Sequence, residues 1–250
     1  MITIAAAADL HVGLDSAGSL QPMLESLDSS ADVLLIAGDL TNYGDPAEAK
    51  VFTDEIAGLA LPVVAVLGNH DYHQDAQTQI RSILEGAGVT VLEGESVSVE
   101  CKGGAVAVAG IKGFGGGFAG ASAAEFGEPE MKSFVAHTRS TAENIERSLQ
   151  SITGDVKVAL LHYSPVEETL KGERLEIYPF LGSYLLAEAV DRAGADIVLH
   201  GHAHIGAERG ATPGGIPVRN VAQPVIGHPY ALYRFHRGKL SSDPDTVDAP

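Results

Sequence analysis

The chain has 250 residues with 16 basic and 33 acidic side chains, a formal net charge of −17, which argues against stable nucleic-acid binding because phosphate backbones need Lys and Arg to displace their counterions. Hydrophobic residues at 45% and charged residues at 20% read as an ordinary globular protein and exclude disorder of the whole chain. The one cysteine, Cys101, excludes a disulfide framework and any cysteine-rich zinc or iron–sulfur site.

The first apolar run, 2–8, has no basic flank, stops at Asp9 and is far short of the roughly 20 residues that span a bilayer. It reads as a buried strand rather than a targeting segment, and no later run is long enough to cross a membrane. The expectation is a cytoplasmic protein without a membrane partner. A helix is expected over 21–30. A strand at 33–37 then leads into Gly38-Asp39, and a helix at 46–60 opens with Asp45 as N-cap and Pro46 at its first position. Next come a strand at 62–67 ahead of Gly68-Asn69-His70 and a helix at 75–87. Runs at 89–92, 97–101 and 105–111 resemble strands without crossover helices. The glycine-dense stretch 113–120 is not expected to be regular. A helix at 132–152 precedes a strand at 156–161 that ends on His162. A helix at 181–193 precedes a strand at 195–199 that ends on His200-Gly201-His202. Two further strands are expected at 216–221 and 231–236, and a polar tail at 237–250.

Continuous apolar runs suit strands covered on both faces, and strand alternating with helix indicates an α/β protein with a largely parallel sheet. The strands without crossovers predict a second, more antiparallel sheet packed on the first. Residues 1–236 are expected to form a single domain.

Metal-competent side chains fall at or just past the ends of five predicted core strands. They are Asp9 and His11, Asp39, Asn69 and His70, His162, and His202 and His204. The carboxyl ends of strands form the usual binding crevice of an open α/β sheet. Asp9 and His11 are two apart, as are His202 and His204, and in extended backbone such pairs point the same way. Leaving His70 aside, seven candidate ligands remain, whereas one tetrahedral zinc takes at most about four. Seven ligands of mixed oxygen and nitrogen character fit two ions better, with Asp39 as the bridging carboxylate. Gly38, Gly68 and Gly201 permit tight turns beside them.

Asp9-Leu10-His11, Gly38-Asp39 with Gly44, Gly68-Asn69-His70-Asp71, His162 and Gly201-His202-Ala203-His204 together resemble the calcineurin-like metallophosphoesterase superfamily. The resemblance extends to its small bacterial phosphodiesterase branch, and all five blocks occur in the family's order. It implies a four-layer αββα sandwich with two mixed β-sheets and a dinuclear site. Asp9, His11, Asp39 and His204 would hold one ion; Asp39, Asn69, His162 and His202 would hold the other. His70 would reach the scissile phosphate and the leaving oxygen. Paired divalent ions roughly 3.5–4 Å apart acidify a shared water and present hydroxide to phosphorus. The leaving alkoxide then needs a proton, which imidazole is suited to supply. An uncharged Asn69 limits the negative charge that an anionic substrate meets. Oxygen and imidazole ligands without thiolate admit Mn²⁺, Fe²⁺/Fe³⁺ and Zn²⁺.

His200 shares the two-residue period of His202 and His204, but the resemblance places no ligand there, so it reads as buried or supporting. Asp71 is either a turn residue or the group that orients His70. In 38–44 the related protein phosphatases carry an acid where Asn42 stands and a phosphate-gripping arginine where Tyr43 stands. That departure disfavours phosphoprotein phosphatase activity and leaves the hydrolytic core intact. His73 faces either substrate or solvent. The 113–120 stretch lacks a P-loop pattern and is either a mobile loop with Phe114 and Phe118 beside the site or a plain connector. Tyr163, Glu167 and Arg174 either line a cleft or cover the surface. The expected function is hydrolysis of a small phosphoester, with a diester favoured and a nucleotide or cyclic nucleotide among the candidates. A broad phosphomonoesterase or nucleotide phosphatase is the rival, and a noncatalytic protein-binding scaffold is the reading from another class.

Overall fold

Every residue of strand β1 (Ile2–Ala7) is buried. The strands that follow are β2 (Val33–Ala37), β3 (Val63–Val66), β4 (Thr90–Val91), β5 (Glu95–Cys101) and β6 (Gly104–Ile111). After the short pair β7 (Gly117–Phe118) and β8 (Ala121–Ser122) come β9 (Val156–Leu161), β10 (Ile197–His200), β11 (Arg209–Ala211), β12 (Pro217–Asn220), β13 (Ala231–His236) and β14 (Lys239–Leu240). The computed structural model describes residues 1–241.

The long strands form two six-stranded mixed sheets, in the orders β14-β13-β1-β2-β3-β4 and β11-β12-β10-β9-β6-β5. In the first, β1 to β4 run parallel and β13 pairs antiparallel with β1. In the second, β6, β9, β10 and β12 are parallel, with β5 and β11 antiparallel at the edges. The division of strands differs from the sequence expectation. Residues 89–92 and 231–236 belong to the first sheet, and the strands ending on His162 and His200 form the centre of the second. An apolar run records that a strand is covered on both faces; it carries no information about which hydrogen-bond ladder the strand joins.

Period-two alternation assigns the faces. Ile4, Leu35, Val64, Val158 and Leu199 meet between the sheets. Leu34 and Ile36 face outward onto Phe52, Ile80 and Leu84, while Ala159, Leu161 and Val198 face outward onto Ile145, Leu186 and Val190. The outer layers are helical, giving the four-layer αββα sandwich. Expected helix 21–30 is two single turns, α1 (Gln21–Leu24) and α2 (Leu27–Ser30). The first outer layer also holds α3 (Pro46–Ile56) and α4 (Gln77–Gly86). A capping box starts α3, with the Asp45 side chain accepting from the backbone and the Glu48 side chain accepting from Asp45. The second outer layer holds α5 (Pro129–Gln150), which starts three residues earlier than expected, at a proline suited to the first turn. The short α6 (Tyr178–Leu181) precedes α7 (Tyr184–Ala193), and α8 (Gln223–Ile226) precedes β13. Among the described residues no helix is long and apolar enough to cross a membrane.

The 113–120 stretch is packed as far as Phe118, and Gly117–Phe118 form β7 where no regular structure is expected. Gly116 and Gly117 donate to the carbonyls of Pro179 and Gly182 at 2.8 and 2.9 Å. Phe118 is buried against Leu170, Leu181 and Ala203. Gly117 has φ +91, and a Cβ there would strike the Ala121 carbonyl. The expected polar tail begins as a hairpin, with Phe235 paired to Leu240; residues 242–250 of it lie outside the described residues.

Candidate metal centre

The ends of β1, β2 and β3 from one sheet and of β9 and β10 from the other open onto one corner. The chain turns sharply at four of the seven ligand positions. Asp9, His11, Asp39 and His202 have φ of 57, 45, 51 and 72°, a left-handed region that costs a non-glycine residue about 1–2 kcal/mol. The pairs Asp9/His11 and His202/His204 therefore reach the site through left-handed turns, not through the extended backbone that their spacing suggests. Such strain persists only where surrounding bonds impose it. Here Asp9 and His11 donate backbone N–H groups to the carbonyls of Gly38 and Asp39 at 3.0 Å, and the His202 N–H donates to the Asp9 carboxylate at 2.9 Å.

Two groups of ligand atoms result, and Asp39 belongs to both. In one, Asp9, His11, Asp39 and His204 bring single atoms within 4.8 Å of one another; in the other, Asp39, His162 and His202 do. His204 Nε2 lies 2.9 Å from Asp9 Oδ1, and His11 Nε2 lies 3.9 Å from Asp39 Oδ2. His162 Nε2 lies 2.9 Å from Asn69 Oδ1 and 3.4 Å from Asp39 Oδ1, which adds Asn69 to the second group. All seven sequence-nominated ligands thus converge.

The donor set fits a pair of cations. Asp9 and Asp39 are 2% and 1% exposed, and among the described residues their only ion-pair partners are histidines. Buried carboxylates without a cation are costly. His162 Nδ1 is spent as donor to the Ala37 carbonyl at 2.8 Å, so Nε2 turns toward two oxygens that require something positive between them. His202 Nε2 is engaged by the Phe180 carbonyl at 3.2 Å, which leaves Nδ1 for a ligand. The electrostatics agree. Burial works against the charged form of His162, yet the Asp39 charge and hydrogen bond carry its pKa up to about 9. Burial likewise opposes ionisation of Asp39, but His162 and the His70 backbone N–H hold its carboxyl well below the usual range. Burial, then the His162 charge, bring His202 down to about 3.

His70 sits beside this cluster, its ring centroid 4.4 Å from that of His11. Its Nδ1 donates to the backbone carbonyl of Asn42 at 2.7 Å, so the Asn42 main chain does the work that a carboxylate would do. Asp71 does not orient the His70 ring. It is fully buried and accepts from Leu40 N, Thr41 N, Thr41 Oγ1 and Gly68 N at 3.3, 2.8, 2.6 and 2.8 Å, clamping the turn after β2 to the turn after β3. Burial, followed by the Asp39 charge, raises its pKa to about 6. His200 is buried away from the cluster, bonded to the Gly201 carbonyl and to Thr169 Oγ1 at 2.8 Å each. Ile197 and Leu199 face the other sheet while Val198 faces the helices; His200 continues the helix-side phase, and the turn at Gly201 breaks the period. His73 is on the exposed surface, and Arg174 pairs with Glu176 in solvent. Glu167 lines a separate cavity of about 700 Å³ with Phe118, Val166 and Tyr184.

A Cβ on Gly68 would overlap the Asp39 carboxylate and backbone nitrogen, and both are fixed by the turn just described. Gly68→Ala is expected to cost about 1–3 kcal/mol and to lower metal content. Gly58, where a Cβ meets nothing within 4 Å, is the control. Chemical denaturation with metal analysis checks this, and equal behaviour of the two variants would count against a tight Asp39 turn.

Tyr163, a cleft candidate in the sequence, packs against the site, and Lys112 is a neighbour that only the fold reveals. Tyr163 is 8% exposed, with its ring 4.4 Å from that of His202, and burial pushes its hydroxyl up to about 12. Lys112 is 9% exposed at the end of β6, and burial lowers its pKa while Glu93 and Asp39 oppose that. The signal for Lys112 was the polar residue after the apolar run 105–111, a strand the sequence reading assigned to structure alone.

A family model described as calcineurin-like phosphoesterase matches residues 2–206. A probable cyclic nucleotide phosphodiesterase of Synechococcus is 31% identical over 80 residues, covering 28% of this chain and 31% of the relative; the matched region is thus about a third of that relative's length. Among solved structures, the phosphopantetheinyl hydrolase of Mycobacterium tuberculosis superposes with a TM-score of 0.66 at 18% identity, covering 99% of this chain and 98% of that one. A putative 5'-nucleotidase of Staphylococcus aureus gives 0.55 at 15% identity over 97% of this chain and 53% of that one.

Proposed function

The chain belongs to the calcineurin-like phosphoesterase family, and from that premise we propose that it is a phosphoester hydrolase dependent on two metal ions, with a phosphodiester as the preferred substrate. The observation that carries the reading is the convergence of two ligand groups on one shared carboxylate, Asp39. Asp9, His11, Asp39 and His204 would hold one ion; Asp39, Asn69, His162 and His202 would hold the other, with Mn²⁺, Fe²⁺/Fe³⁺ or Zn²⁺ admitted by the donors. Bound there, divalent ions activate water as a nucleophile and offset charge on the phosphate oxygens.

The chain's own groups do the rest. Asp39 is held by the His70 backbone N–H at 2.8 Å, which fixes one oxygen and leaves the other toward His11. His70 Nδ1–H is committed to the Asn42 carbonyl, so Nε2 is the ring atom left to exchange a proton with the substrate. That atom delivers the proton to the leaving oxygen as the ester bond breaks. Asn69 contributes an oxygen without adding negative charge, which eases the approach of an anion.

Two features favour the diester. The Synechococcus relative is described as a probable cyclic nucleotide phosphodiesterase, and Tyr43, 58% exposed, stands where related protein phosphatases carry a phosphate-gripping arginine. Purified protein with added manganese is expected to turn over bis(p-nitrophenyl) phosphate faster than p-nitrophenyl phosphate. Faster release from the monoester would reverse the preference, and inertness toward both at full metal occupancy would favour the binding-scaffold reading.

A further inference from the structure

Lys112 stands level with His162. In the parallel pair β6–β9, Ile111 is opposite Leu161, so the next residues are Lys112 and His162, and the Lys112 carbonyl accepts from both His162 N and Tyr163 N at 3.0 Å. Val106 and Val108 face the other sheet, whereas Ala109 and Ile111 face the helices. Lys112 continues the inward phase, as His162 does after Val158 and Leu160. Neighbouring strands lie about 4.8 Å apart, so the two side chains leave the sheet together.

The ammonium is enclosed by rings. Nζ lies 4.8 Å from the centroid of Tyr72, 5.2 Å from Tyr163 and 5.5 Å from Phe114. Tyr72 is two residues past His70, and Tyr163 packs on His202. Its one hydrogen bond in the described residues is a long 3.5 Å contact to the Gly113 carbonyl, and no carboxylate comes within ion-pair distance of it there. Glu93 is engaged instead by the Lys112 backbone N–H and by the Tyr72 hydroxyl. An ammonium has three donors, and a buried one with most of them unspent is costly unless an anion completes it. The rings attract the cation and keep water off it, which strengthens any charge contact it makes.

Building on the proposed hydrolysis, we infer that Lys112 binds the substrate's phosphate, donating from Nζ to a nonbridging oxygen beside the His162–His202 group. The contact supplies positive charge in a chain whose net charge of −17 repels anions overall. It exists in ground state and transition state alike, so its loss raises KM and leaves kcat nearly unchanged.

The test compares wild-type protein, Lys112→Met and Lys112→Arg, each loaded with manganese. Metal content and thermal midpoint are measured first, then binding of inorganic phosphate by calorimetry, then kinetics on bis(p-nitrophenyl) phosphate. For the methionine variant, phosphate affinity is expected to fall about tenfold and KM to rise by a similar factor, the scale of one lost charge-assisted hydrogen bond. Metal content is expected to stay full, and the arginine variant to bind phosphate within about threefold of wild type, since its donors remain charged. Unchanged phosphate affinity in the methionine variant overturns the inference. So does a loss of affinity that tracks loss of metal or of folding in both variants, which would make Lys112 a structural counter-charge to Asp39 and Glu93. Should the wild type bind phosphate through Lys112 yet hydrolyse no ester, the inference stands and the proposed hydrolysis falls.

Discussion

Asp39→Asn is expected to lower phosphodiester turnover by at least about a thousandfold and to strip both metal positions at once. The reason is its double membership, because its carboxylate lies 3.4 Å from His162 Nε2 and 3.9 Å from His11 Nε2 and belongs to both ligand groups. Removing a group that merely supports a ligand already costs about 10–100-fold in affinity or activity, and a ligand shared by two cations exceeds that. The amide keeps one oxygen for the His70 N–H but gives up the charge. It also leaves His162, whose raised pKa depends on that charge, without its anion. Elemental analysis after dialysis checks the result. Asp9→Asn, which touches one group only, is expected to retain the second ion. An Asp39→Asn protein that keeps one full equivalent of metal and a tenth of its turnover would show that the carboxylate is not shared.

His70→Ala is expected to spare the metals and to cost about 10²–10⁴-fold in kcat on esters with alkyl leaving groups, the range of a lost general acid. The imidazole belongs to neither ligand group, and the contact that does support Asp39 is made by the His70 backbone nitrogen, which alanine retains. The loss should shrink as the leaving group becomes more acidic. p-Nitrophenolate departs without a proton, so an aryl ester is expected to lose far less than a methyl ester. A uniform loss across leaving groups would assign His70 to phosphate binding. A fall in metal content would make it a ligand.

The sequence by itself determined which side chains meet. The ligands fall at or just past the ends of five apolar runs, and burial of those runs carries the polar residues that follow to a sheet edge; five such edges, each with an imidazole, a carboxylate or a carboxamide, are enough to nominate the site. The residues themselves indicated an α/β protein with a second sheet packed on the first, and the αββα layering was what the family resemblance implied. Tertiary structure alone decided three things. It decided sheet membership, because nothing in the residues of 89–92 and 231–236 names a neighbouring strand, and only the unpaired edges of β3 and β1 say where they add. It decided the backbone at Asp9, His11, Asp39 and His202, where left-handed turns fixed by hydrogen bonds between strand ends replace the extended geometry that their spacing suggests. And it decided the second rank of groups. Asn42 supports His70 through a main-chain carbonyl, which no side-chain reading detects. Asp71 ties two turns together across 31 positions. Lys112 gains its place beside His162 from the register of two strands distant in the chain, a relation set by hydrogen bonds that form only when the sheet does.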